Sequence, residues 1–174
     1  MFPILETERL QLREIVKEDA HSIFRCFSNH DVTRYYGQDT LTNIEQAEPF
    51  IAFFAQSYQE NRGIRWGIEI KGKKEMIGTI GFNVLSLKHK RAEIGYELHP
   101  DYWGNGYATE AISKVITYGF SELGLTRIGA IVFIENKKSN QLLTKLGFEK
   151  EGILKNYMYQ NGVAYDTNIY SLIK

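Results

Sequence analysis

Cysteine is almost absent from this chain: one residue, Cys26, occurs in 174. A lone thiol can form neither an intrachain disulfide nor a CxxC zinc site, so both scaffolds are excluded. Prolines are few (Pro3, Pro49 and Pro100), and no Ser/Gly-rich tract or internal repeat is visible. Linkers and solenoid architectures are therefore not expected. Net charge is also lacking, because 21 Lys+Arg balance 21 Asp+Glu. A nucleic-acid or polybasic membrane binder needs a basic excess, so neither partner is expected. No apolar run approaches the ~18 residues of a membrane span, and Met1-Phe2-Pro3 lacks the basic start of a signal peptide. A cytoplasmic setting is expected. His21, His30, His89 and His99 have no metal-ligand spacing, so no metal is expected either.

What is present is ordinary globular material, with 43% hydrophobic and 24% charged residues. A chain of this length can bury roughly 70% of its unfolded surface, enough for one full core. A single domain over residues 1–174 is expected. Arg9-Leu10-Gln11-Leu12-Arg13 alternates apolar and polar residues and reads as a strand. Glu18 and Asp19 open a short helix carrying Ile23, Phe24 and Phe27. Thr42 with Glu45 predicts a capping box. Behind it Ile44, Ala47, Ile51, Phe54, Ala55 and Tyr58 share a helical face, bent near its start by Pro49. Arg65–Ile70, Met76–Val84 and Arg91–Leu98 form an antiparallel meander. A long amphipathic helix follows from Ala108 to Phe120, then a strand from Ile128 to Ile134. A short helix from Ser139 to Leu146 ends at Gly147, and two β-like runs close the chain. The class is α/β or α+β: a mixed sheet of about seven strands with about four helices packed on it. Cys26 lies on an apolar helix stripe and reads as core.

Trp103-Gly104-Asn105-Gly106-Tyr107-Ala108 lies between a strand and the long helix. Glycines let the backbone turn tightly and approach a ligand closely. The first helical turn adds unpaired N–H donors and a positive dipole end, so a phosphate or pyrophosphate is the expected guest. The plain alternative is a tight turn with no ligand. A dinucleotide fingerprint is rejected because Thr109 stands where its third glycine belongs, and no Gly-Lys-Ser/Thr of a Walker loop is present.

The segment from Arg91 to Phe148 resembles the acyl-CoA core of the GNAT N-acetyltransferase superfamily. Gly106 and Ala108 match its Gln/Arg-x-x-Gly-x-Gly/Ala signature, while Trp103 replaces the usual Gln or Arg. Glu93-Ile94-Gly95-Tyr96 and the run from Tyr102 to Ala111 resemble the RimJ/RimL-type ribosomal-protein acetyltransferases. So do Glu6-Thr7-Glu8-Arg9-Leu10-Gln11-Leu12-Arg13, Asn136-Lys137-Lys138-Ser139 and Lys145-Leu146-Gly147-Phe148. The resemblance implies a mostly antiparallel twisted sheet with acetyl-CoA bound where the family's fourth and fifth strands splay apart. It implies an N-acetyltransferase that moves an acetyl group directly to a primary amine, either a peptide N-terminus or a small molecule. It also allows a homodimer. Backbone amides from Trp103 to Ala108 would hold the pyrophosphate. Leu98 and His99 would pair with the pantetheine arm, and Asn136 would contact it unless it serves only as a helix cap.

Acetyl transfer also needs an oxyanion donor, a base for the ammonium and an acid for the thiolate. The resemblance implies a backbone N–H near Tyr96–Leu98 as the donor. Glu93 is the first candidate base, and Glu97, on the same strand face, is the second. Either carboxylate could instead be a surface ion-pair partner. Many GNAT enzymes use a Tyr as the acid at the position held here by Leu143. The RimJ/RimL branch instead tends to carry a Ser as the acid, matching Ser139, which could equally be an N-cap. Tyr35, Tyr36 and Trp66 are candidate acceptor contacts. Lys137 and Lys138 read as a solvated pair that could reach cofactor phosphates. The competing readings are a catalytically idle acyl-CoA-binding module and a plain interaction domain.

Overall fold

The computed structural model describes residues 1–174. A two-residue strand β1 (Leu5–Glu6) pairs antiparallel with β2 (Leu10–Glu14), in which Leu10 and Leu12 are fully buried and alternate with more exposed neighbours. A 3₁₀ turn at Lys17–Asp19 leads into α1 (Ala20–Phe27), and the short α2 (His30–Thr33) follows. After α3 (Ala47–Gln59) come the meander strands β3 (Ile64–Ile70), β4 (Met76–Ser86) and β5 (Arg91–Leu98). Then follow α4 (Tyr107–Ser121), β6 (Arg127–Phe133), α5 (Lys137–Lys145), and the hairpin β7 (Glu149–Gln160) with β8 (Val163–Ile173).

One sheet holds all eight strands in the order β1-β2-β3-β4-β5-β6-β8-β7. Every pairing is antiparallel except β5 with β6. The mixed α/β class expected from the sequence is correct, with one more strand and one more helix. Both additions, β1 and α2, are too short to carry a periodic signal.

Two local readings need correction. The helix cap lies one residue later than Thr42–Glu45. Gln46 Oε1 accepts from the backbone N–H of Thr42 at 2.7 Å and of Asn43 at 3.3 Å, closing a 3₁₀ turn at Ile44–Gln46. Ile44 and Ala55 end up exposed, while Phe50 stacks on Phe27 at 5.1 Å between ring centroids. Pro49 occupies the first turn of α3, where its missing N–H would lack a partner anyway.

The sheet buries a different set of side chains on each face. Leu10, Leu12, Trp66, Ile80, Phe82, Ile94 and Leu98 pack with Ala111, Ile112 and Val115 of α4 and Leu143 of α5. Ile15 and Met76 pack on the opposite face with Ile23, Cys26 and Phe27 of α1 and Ala47 and Ile51 of α3. Along β5, period-two alternation therefore sends Ile94, Tyr96 and Leu98 toward α4 and α5. Glu93, Gly95 and Glu97 face α1 and α3.

The two central strands separate. β5 and β6 pair only through Arg91–Arg127, Ala92–Ile128 and Glu93–Gly129. Beyond that point β5 continues against β4 as far as Leu98, and β6 continues against β8 as far as Phe133. This is the expected splay, opening just past Glu93.

Candidate active site

The splay is the floor of a cleft of about 1690 Å³. Trp103, Gly104, Gly106, Tyr107, Asn136 and Ser139 line its α4/α5 side, and Tyr35, Tyr36, Phe50, Phe53 and Phe54 line the other. Glu93 to Leu98 run between them.

The glycine loop is shaped by two left-handed residues, Gly104 (φ 76°) and Gly106 (φ 79°), the latter capping α4. A left-handed backbone costs an L side chain roughly 1–2 kcal/mol, so glycine suits both positions. A Cβ on Gly104 would meet nothing within 4 Å, so the loop's outer surface is open to a ligand. Asn105 Nδ2 folds back on the carbonyls of Tyr102 (3.3 Å) and Trp103 (3.1 Å). Arg9 braces the loop from behind. Its Nη1 donates to Asn105 O at 2.8 Å, its Nε to Glu110 Oε2 at 2.7 Å, and its guanidinium lies 4.5 Å from the Tyr107 ring centroid. Thr7 Oγ1 and the Arg9 N–H also donate to Glu110 Oε1. Exposed loop amides at the start of a 15-residue helix fit a pyrophosphate.

Backbone alternation orients the donors of β5. His99 N–H bonds to Ile77 O of β4 at 2.8 Å, so the N–H groups of Tyr96 and Leu98 point the other way, into the splay. This corrects the expectation for His99. Its N–H belongs to the sheet, its C=O accepts from Tyr102 N–H at 3.0 Å, and its Nδ1 accepts from Asp101 N–H at 3.2 Å. Leu98 O accepts from Trp103 Nε1 at 2.9 Å, and Lys138 Nζ stands 5.1 Å from the centroid of the Trp103 ring. Asn136 caps α5, its Oδ1 accepting from Ser139 N–H at 3.3 Å, and it also lines the cleft. Ser139 Oγ lies 2.5 Å from the hydroxyl of Tyr96.

The two candidate carboxylates differ sharply. Glu97 is buried in a closed network. Arg65 Nη2 approaches its Oε2 at 2.5 Å, Thr79 Oγ1 donates to its Oε1, and Arg65 also reaches Thr79 Oγ1 (2.8 Å), Gly95 O (3.1 Å) and Tyr36 OH (3.0 Å). Burial raises the Glu97 carboxyl's proton affinity, and Arg65 opposes it. Glu93 is half-buried at the point of splay and forms no ion pair. Burial raises its pKa above the usual carboxylate range, opposed by Arg91 and Arg127.

Trp66 is a second correction. It is fully buried, donates from Nε1 to Pro3 O at 2.8 Å, and packs edge-on against Tyr118 and Phe82. An even-numbered position on β3 faces α4, away from the acceptor side. Tyr36 lines the cleft, but its hydroxyl is committed to Arg65. Tyr35 lines it with its ring edge-on to Phe133. Cys26 is buried as expected, its thiol 3.7 Å from Ile77 O and pushed up to about 12, chiefly by burial. No group of three or more His, Cys, Asp or Glu is placed to hold a metal ion, and no helix is long and apolar enough to cross a membrane.

Sequence reasoning missed Arg9, Arg65, the Tyr96 hydroxyl, and Gln160, whose Nε2 donates to Thr33 O and Gln38 O and holds the loop that carries Tyr35 and Tyr36. Arg9 and Tyr96 were inside recognised motifs, and a charge within the apolar run of β3 marked Arg65. Gln160 carries no sequence signal at all.

The acetyltransferase (GNAT) domain family matches residues 9–149. The chain is 63% identical over 174 residues to the uncharacterized N-acetyltransferase YoaA of Bacillus subtilis (strain 168), covering 100% of this chain and 98% of YoaA. Its fold superposes with a TM-score of 0.85 and 26% identity on the microcin C7 self-immunity acetyltransferase MccE in complex with acetyl-CoA and AMP, covering 97% and 94% of the two chains. It also superposes with a TM-score of 0.86 and 21% identity on RimL, the ribosomal L7/L12 alpha-N-protein acetyltransferase in complex with coenzyme A, covering 98% of each. With its splayed strands and the glycine loop at the start of α4, the chain belongs to the GNAT family and is an acetyl-CoA-dependent N-acetyltransferase.

Proposed function

We propose that this enzyme transfers acetyl directly to a primary amine in a ternary complex, with the donor on the α4/α5 side of the splay and the amine on the α1/α3 side. The observation that carries this reading is the position of Glu93. It is the one carboxylate on the acceptor face of β5 that no cation neutralises in an ion pair, and it stands where β5 and β6 part.

Backbone N–H groups from Trp103 to Ala108 hold the donor's pyrophosphate, and Leu98 and Asn136 border its pantetheine arm. Acetyl-CoA supplies an activated thioester carbonyl. The N–H groups of Tyr96 and Leu98, directed into the splay, polarise that carbonyl and stabilise the oxyanion. Glu93 takes the proton of the incoming ammonium, a task its raised pKa suits. Ser139 protonates the leaving thiolate from the first turn of α5. Glu97, neutralised by Arg65, holds the acceptor wall rather than acting as the base. Cys26 is buried with a raised pKa, which argues against a cysteinyl acyl-enzyme. The acceptor, a peptide N-terminus or a small amine, lies against Tyr35, Phe50, Phe53 and Phe54. The reading places the protein in the RimJ/RimL-type branch and in the cytoplasm.

Initial rates of thiol release, with acetyl-CoA and a panel of N-terminal peptides, polyamines and aromatic monoamines varied together, test the proposal. Intersecting double-reciprocal lines are expected for a ternary complex. Parallel lines would overturn direct transfer, and acetyl-CoA binding without transfer to any amine would leave an idle acyl-CoA-binding module.

A further inference from the structure

Leu143, at the position where the family resemblance implies a proton-donating Tyr, is fully buried among the side chains under α5. No hydroxyl can act from there. One turn earlier on the same helix, Ser139 Oγ lies 2.5 Å from Tyr96 OH. Tyr96 comes from β5 and Ser139 from α5, so their contact joins two elements 43 residues apart across the donor side of the splay. Both residues line the cleft, and both are partly buried. Tyr96 projects to the face opposite Glu93, so a proton leaving the acceptor amine and a proton entering the thiolate travel by separate groups.

We propose that Tyr96 and Ser139 form a two-hydroxyl proton relay to the leaving thiolate, with Tyr96 acting through Ser139. This inference rests on the assignment of Ser139 as the donor to sulfur. A serine hydroxyl is a weak acid, and giving up its proton alone would leave an alkoxide. A phenol ionises near pH 10 in its reference state. Burial raises Tyr96 above that, opposed by its bond to Ser139. An aliphatic hydroxyl is a far weaker acid, so Tyr96 is the stronger acid of the pair. As the C–N bond forms, the C–S bond breaks and its electron pair goes to sulfur. Sulfur takes the proton of Ser139 Oγ, and Oγ takes the phenolic proton of Tyr96. The tyrosinate is then reprotonated from solvent, which balances the proton that the amine gave to Glu93. The positive end of α5 also favours the transient negative charge at Oγ. A plain packing contact between the two hydroxyls would account for the distance but requires none of the kinetic behaviour that follows.

Full-length Tyr96→Phe, Ser139→Ala and the double variant are compared by kcat, both KM values and the dissociation constant for CoA. Two donors are used: acetyl-CoA and the acetyl thioester of an electron-poor arenethiol, whose thiolate leaves without needing a proton. Removing a general acid typically costs about 100-fold or more, so Ser139→Ala sets the scale. Tyr96→Phe is expected to lower kcat with acetyl-CoA by about tenfold while both KM values and CoA binding stay within about twofold. The double variant should be no slower than Ser139→Ala, and both defects should shrink toward unity with the arenethiol donor. Additive losses, or a Tyr96→Phe defect of the same size with both donors, would overturn the relay. A Tyr96→Phe enzyme with wild-type kcat beside an impaired Ser139→Ala enzyme would overturn the relay alone. Wild-type kcat in Ser139→Ala would overturn the Ser139 assignment and the relay with it.

Discussion

Arg65 Nη2 lies 2.5 Å from Glu97 Oε2, and both side chains are only 4% exposed. Two charges this deep lose most of their hydration, so the pair holds together because Thr79, Tyr36 and Gly95 O satisfy the remaining donors and acceptors. Removing one partner strands the other. Arg65→Met alone, or Glu97→Leu alone, is expected to cost about 3–5 kcal/mol in urea unfolding, and the double variant should regain a large part. A loss in the double variant equal to the sum of the two single losses would show that the pair contributes nothing as a pair.

Glu93→Gln should lower kcat/KM by about 100-fold or more and flatten the acidic limb of the pH profile. The ionised carboxylate is the working form, and burial raises its pKa, so the wild-type limb lies above the ordinary carboxylate range. The same shift acts on stability with the opposite sense. A raised folded-state pKa means that ionised Glu93 destabilises the fold at pH values above that pKa and not below the unfolded value. Glu93→Gln should therefore melt higher than wild type at neutral pH, with the difference vanishing as pH falls below the usual carboxylate range. A wild-type acid limb in the variant would remove Glu93 from the mechanism.

Arg9 touches the glycine loop and the helix after it through Asn105 O, the Tyr107 ring and Glu110. Its ion pair is largely exposed on the arginine side, so the charge itself contributes little. The fork geometry matters more, because one Arg side chain bonds the loop carbonyl and the first turn of α4 together. Arg9→Lys should raise KM for acetyl-CoA by roughly fivefold, the equivalent of about one hydrogen bond, and leave the acceptor KM unchanged. A matched rise in both constants would point to general loosening instead.

Gln160, at the end of β7, ties down the loop that carries Tyr35 and Tyr36. Its Nε2 donates to Thr33 O at 2.5 Å and Gln38 O at 3.1 Å, and its Oε1 accepts from Gly37 N–H at 3.2 Å. The side chain is 6% exposed, so Gln160→Leu leaves backbone groups without partners, at about 1–3 kcal/mol for a buried one. The expected result is a higher KM for the amine with KM for acetyl-CoA unchanged. Unaltered acceptor kinetics would show that the tether has no part in shaping the acceptor side.

The glycine turn and the helix that follows it were legible because they depend on local chain geometry. Gly104 and Gly106 permit the left-handed turn that they form, and the apolar spacing from Ala108 to Phe120 specifies the helix that follows. The acceptor half was much less so. Glu93 and Glu97 are equivalent in strand periodicity, and only the presence of Arg65 across β4 separates a committed carboxylate from an available one. Trp66 looked like a candidate acceptor contact because aromatic residues suit both roles. Its place on the α4 face of β3 became evident only once the register was known.

The amino-acid sequence determined that this protein has no disulfide framework, no excess of charge and a tight glycine turn at the start of its long helix. Composition, short-range periodicity and residues needing positive φ act within a few positions of each other, so they are readable along the chain. The tertiary structure decided which side chains meet. Tyr96 with Ser139, Arg65 with Glu97, Arg9 with Glu110 and Gln160 with the Thr33–Gln38 loop are separated by 43, 32, 101 and over 120 residues. Such contacts depend on strand order, register and the point where β5 and β6 part, and those are set by packing of the whole sheet between its two helical layers.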